Sequence, residues 1–157
     1  MGTQQILLIV LSVIIVGVAI AVGISMFNAQ SYNSNKTAIA ADAQQYATQI
    51  VQYYKTPTSQ GGGSNALPSA DATGAATLGN FLGWGGATTS NENGSYTVAI
   101  TTTGVSGVAT ITGNGTAQKG VSVPKVVTTI TFPNGTISAV ASDNGTIGGD
   151  TGDSTEP

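Results

Sequence analysis

The chain has no cysteine, no histidine and no arginine, and only 7% of its residues carry charge. Without an imidazole or a thiol, neither a Ser/His/Asp nor a Cys/His nucleophile can be assembled, and structural zinc has no ligands. Without arginine the usual bidentate clamp on phosphate is missing. These absences point away from an enzyme, and neither a cofactor nor a metal centre is expected. Lys36, Lys55, Lys119 and Lys125 are the only cations, and the formal net charge is −3. Nucleic acid binding needs a clustered basic face, so none is expected directly. No disulfide can staple the fold, which must hold by packing and backbone pairing alone. Ordinary soluble domains are roughly 25% charged, so something other than surface charge keeps this chain dispersed.

Long apolar stretches are what the sequence has instead. Residues 6–27 read ILLIVLSVIIVGVAIAVGISMF, with Ser12 and Ser25 as the only polar side chains. About 22 helical residues at 1.5 Å each span a bilayer core. A cleavable secretory signal is the competing reading, since Ala19 and Ala21 form an Ala-x-Ala pattern. Against it, the run exceeds the roughly 7–15 residues of a signal core, and no Lys or Arg precedes it. Membrane helices normally carry flanking cytoplasmic Lys or Arg, and an initiator methionine before a small residue such as Gly2 is usually trimmed. Met1 is therefore expected to be the first residue of a processed chain whose basic leader was removed.

A second helical signal follows the polar patch NAQSYNSNKT. Ile39, Ala43, Tyr46, Ala47, Ile50, Val51 and Tyr54 recur on one face of a 3.6-residue period. Pro57 and the glycines after it supply the stop, so the helix should end near Lys55. No proline lies inside it. Gly17-x-x-x-Ala21 and Ala19-x-x-x-Gly23 put small residues one turn apart, which lets helix backbones approach closely, although glycine is also simply frequent in membrane helices.

Met1-Gly2-Thr3-Gln4-Gln5, followed by an unbroken apolar helix, resembles a mature type IV pilin over roughly the first 55 residues; the uninterrupted helix is more like archaeal than bacterial pilins. The resemblance implies cleavage of a short leader, N-methylation at Met1, and a filament core packed through Gln5, Ile6, Leu7, Leu11, Ile14, Gly17, Ala21, Gly23 and Phe27. It departs at Gln5, where pilins usually carry a glutamate. An amide cannot neutralise a buried ammonium group, so charge compensation must differ here; the alternative is that Gln4 and Gln5 form a polar interfacial collar.

Downstream the period changes. Residues 95–103, 105–112, 121–132 and 135–142 are rich in β-branched residues and bounded by Gly or Asn-Gly, which predicts an antiparallel meander of about four strands with Pro124 at an edge or bulge. Tyr96, Val98 and Ile100, and Val127, Thr129 and Thr131, are the alternating sets. The expected fold is α+β, a helical stem bearing a small antiparallel β head, as the lollipop of pilins implies. Residues 1–56 are the helix (1–27 transmembrane or filament core, 28–56 amphipathic), 57–94 a Gly/Ser/Thr-rich loop region, 95–147 the head and 148–157 an acidic tail. The head should cover Ile39, Ala43, Tyr46, Ile50 and Tyr54, with Phe81, Leu82 and Trp84 as loop anchors.

Asn35, Asn93, Asn114, Asn134 and Asn144 each open an Asn-x-Ser/Thr triplet, the acceptor pattern for N-glycosylation. All but the first read Asn-Gly, which tight turns also require, and turn chemistry is the leading reading. Asp143, Asn144, Asp150 and Asp153 lack the spacing of a calcium loop. The expected function is that of a major pilin, a non-enzymatic subunit polymerising into an extracellular filament on the cell surface for adhesion, motility or uptake. Its expected partners are copies of itself, the inner or cytoplasmic membrane before assembly, and the pilus assembly machinery. The rivals are a pseudopilin of a secretion system and a monomeric membrane-anchored surface binding module.

Overall fold

In the computed structural model, which describes residues 2–146, one helix organises the whole chain. Helix α1 runs unbroken from Gly2 to Lys55, 54 residues or about 80 Å. Its end is set as the sequence predicts. Residue 56 precedes Pro57 and leaves the helical region, and the carbonyls of Tyr53, Tyr54 and Thr56, which have no i+4 donor at this helix end, accept from the backbone N–H groups of Gly63, Asn65 and Ser64. Lys55 in the last turn complements the helix dipole.

The two halves of α1 meet different surroundings. Residues 2–31 are exposed all round, whereas Tyr32, Ile39, Ala43, Ala47, Ile50, Tyr53 and Tyr54 are buried. A five-stranded antiparallel sheet in the order β1-β2-β3-β4-β5 covers that stripe, with β1 Thr88–Ser90, β2 Gly94–Thr102, β3 Val108–Gly115, β4 Ser122–Thr131 and β5 Thr136–Thr146. Tyr96, Val98 and Ile100 point inward and are buried, as alternation demands. On β4 the inward set is Val126, Thr128 and Ile130, so Val127, Thr129 and Thr131 lie on the outer face. The register shifts between Val123 and Lys125, which places Pro124, unable to donate to the ladder, at a bulge.

Three sequence expectations change. The region 57–94 is not merely loop: it holds a 3₁₀ turn at Thr58–Gln60, helix α2 at Ala72–Phe81 and the edge strand β1. Asp71 caps α2, its Oδ1 accepting from Gly74 N at 2.8 Å. Asn114-Gly115 does not turn the chain; it continues β3, with Gly94 opposite Gly115 and Lys125 opposite Asn114. Glycine is needed at residue 115 for close approach, since a Cβ would run into Asn35 Oδ1 and come within 2.6 Å of Pro124 Cγ. Residues 105–107 are a turn rather than the start of a strand, held to the helix by Tyr54 Oη, which donates to the Val105 carbonyl at 2.7 Å. Asn134-Gly135 does sit in the tight connection between β4 and β5.

Aromatic packing joins the layers. Tyr46 meets Trp84 and Tyr96 edge-on at centroid distances of 4.9 and 5.2 Å, and Phe81 meets Tyr53 at 5.1 Å. Phe81 and Trp84 thus seat the α2 segment on the helix.

Candidate functional site

The most distinctive surface is the stem. Its most apolar 18-residue window has a mean hydropathy of 3.2 and no buried residue, so by length and composition the helix can cross a membrane. Gln5, Ile6, Leu7, Leu11, Ile14, Gly17, Ala21, Gly23 and Phe27 are all exposed on it, distributed around the cylinder. Nothing lies within 4 Å of where a Cβ would stand at Gly17 or Gly23. Both are open notches along a surface otherwise studded with Ile, Val and Leu. Met1 lies outside the described residues.

Ile39, Ala43, Ile50 and Tyr54 are buried under the sheet, and Tyr46 is half-buried at its margin. Here the sequence reading overlooked a polar hub. Asp42, one position from the apolar stripe, turns its carboxylate to the β1–β2 side. Its Oδ2 accepts from Tyr96 Oη at 2.6 Å, Asn93 Nδ2 at 2.9 Å and Asn91 Nδ2 at 3.0 Å. Desolvation pushes the Asp42 carboxyl up, but the hydrogen bonds from Asn93, Tyr96 and Asn91 together outweigh it and hold the group below its ordinary value. Burial first, and then the hydrogen bond to Asp42, push the Tyr96 phenol well above its usual range. A lone acid beside an apolar stripe reads in sequence as a solvated residue, and the cluster Asn91-Glu92-Asn93-Gly94 reads as a turn. Their meeting is tertiary.

Asn35 makes a second clasp nearer the stem. Its Nδ2 donates to the Asn93 carbonyl at 2.7 Å, and its Oδ1 accepts from Thr116 N and Ala117 N at 3.0 and 3.2 Å. A third joins β5 to the helix: Lys36 Nζ lies 2.7 Å from Asp143 Oδ1, and Tyr32 Oη donates to the same oxygen at 3.2 Å. Lys36 first, and then Tyr32, hold the Asp143 carboxyl below its ordinary value.

These contacts sort the Asn-x-Ser/Thr triplets. The Asn35 and Asn93 amide nitrogens, to which a sugar would be attached, are committed within the head. Asn114 is half-buried in β3, Asn134 is exposed at the β4–β5 turn, and Asn144 lies in β5. Of the acids considered for calcium, Asp143 is paired with Lys36, while Asp150 and Asp153, with the rest of 148–157, lie outside the described residues. Among the described residues no group of three or more metal-ligating side chains comes together.

No protein-family model, curated protein or solved structure matches the chain.

Proposed function

We propose that the chain is the structural subunit of a type IV pilus-like extracellular filament, a major pilin that polymerises through its stem for adhesion, motility or uptake. The observation that carries this reading is the exposed apolar stem, continuous with the helix that floors the head. Burying a single large aliphatic side chain is worth about 1.5–3 kcal/mol. More than a dozen such side chains on a bare rod therefore oppose solution by tens of kcal/mol and require cover from lipid or from sister helices. The notches at Gly17 and Gly23 and the small residue Ala21 suit close helix contact. A stem that packs against other stems while the heads stay outside gives head-to-tail contacts that do not close, which is the requirement for a fibre. Residence in the cytoplasmic membrane before assembly, handling by a pilus assembly machinery and N-methylation of Met1 belong to the same proposal.

Electron microscopy of material sheared from the cell surface tests it. Filaments in which side-chain density follows this sequence, stems inside and sheets outside, are expected. A full-length chain that stays monomeric in detergent-free buffer would overturn the proposal. Short polymers retained in the cell envelope would indicate a secretion pseudopilin, and monomers alone in cross-linked membranes an anchored binding module.

A further inference from the structure

The loop between β3 and β4 ends in a preformed tight turn. Lys119 N donates to the Ser122 carbonyl at 2.9 Å and Ser122 N to the Lys119 carbonyl at 3.3 Å, leaving Gly120 and Val121 at the tip. Gly120 takes the positive φ of 67° that this turn demands. Turn tips favour Gly, Asn, Asp and Ser. Here a valine stands at the tip with 87% of its surface exposed, the highest of any large apolar side chain among the described residues.

The position of this tip follows from the pairing of strand with helix. Along α1 toward the stem, Tyr54 meets Val105, Ile39 lies beside Gly113, and Asn35 holds Thr116 and Ala117. β3 therefore runs toward the stem, and the hairpin continues past it. Thr116 and Ala117 share an open cleft of about 550 Å³ with Ser31, Gln30 and Phe27, and Phe27 closes the apolar run. The base of the hairpin thus stands at Asn35, about 12 Å along the helix from Phe27, and the turn beyond it extends toward the end of the bilayer-grade segment.

We propose that this tip is a second membrane contact: while the stem crosses the bilayer, Val121 enters the headgroup layer and Lys119 lies against lipid phosphates. An apolar side chain next to a long cationic one suits that layer, because the lysine stem can lie along apolar surface while its ammonium stays with the headgroups. A single helix leaves tilt and rotation of the head unspecified, whereas anchors at the interface define both. The contact rests on the membrane-crossing capacity of the stem and not on polymerisation, so its failure and that of the filament reading are distinguishable.

The absence of cysteine makes the test direct. Val121→Cys labelled with an environment-sensitive fluorophore is reconstituted as full-length chain into vesicles of phosphatidylcholine and phosphatidylglycerol. Val105→Cys, on an exposed turn at the opposite end of the head, serves as the water reference, and Ile14→Cys as the bilayer reference. The label at residue 121 is expected to emit to the blue of that at 105 and to be quenched several-fold less by iodide. Adding Lys119→Glu should restore iodide access at residue 121. Equal emission and equal quenching at 121 and 105, with residue 14 protected, would overturn the contact. Access unchanged by Lys119→Glu would overturn the lysine's part in it.

Discussion

Asp42 shows how much one side chain can do when a single oxygen serves three donors. A group whose carboxyl is held below its unfolded value stabilises the fold above that value, near 3.9, and the stabilisation is lost as pH falls through the folded value. Asp143 acts in the same direction beside Lys36. Asp42→Asn removes the charge and leaves the shape. At neutral pH it is expected to cost about 1.5–3 kcal/mol, the range for hydrogen bonds to a charged acceptor. The difference from the unsubstituted chain should shrink toward zero as pH drops below the carboxylate range. Thermal unfolding followed by near-ultraviolet circular dichroism, which reads Tyr96 and Trp84, checks both limbs; a penalty that is constant with pH would contradict the role given to the charge.

At the scale of elements, α2 is where sequence and structure part most. Its sequence, ATGAATLGNF, carries two glycines and two threonines, poor helix formers, so propensity argues for loop. Packing overrides it. Gly79 lies so close to the following segment that a Cβ there would run into the Gly86 carbonyl oxygen, and Leu78 is buried in the core. Gly79→Ala, which improves intrinsic helix propensity, is therefore expected to destabilise the head by about 1–3 kcal/mol through overpacking, read as a lowered unfolding midpoint. A rise would mean that the segment can retreat from the helix. The Asp71 cap was the available signal, an acid just ahead of an Ala-rich run. By contrast, α1 was legible nearly to the residue, because period, proline stop and apolar stripe all agree. The strands were legible as strands, but not their ends: Asn-Gly turns the chain at Asn134, yet at Asn114 the glycine serves close packing against Asn35 and Pro124. Only contacts distant in sequence separate those two uses. The stem was readable from composition alone, whereas the clasps at Asp42 and Asn35 join segments about 50 to 80 residues apart and carry no local pattern.

For the molecule as a whole, one core contains the second half of α1, α2 and the sheet, and owes nothing to residues 2–31. A chain starting at residue 29 is accordingly expected to fold as a soluble monomer with the same unfolding midpoint as the intact chain in detergent, within about 3 °C, since distant sites act additively. Sedimentation and calorimetry check this. Loss of cooperative unfolding in the shortened chain would show that the stem supports the head.

Because α1 is a single uninterrupted helix from Gly2 to Lys55, the rotation of the stem about its axis and that of the head are set by one helical phase. In any array built on parallel stems, the azimuth of each stem dictates which sheet edge and which hydroxyl-bearing strand meet the surroundings. A one-residue change of helical phase, 100° about the axis, would swing every head to a new bearing without altering a single contact inside it.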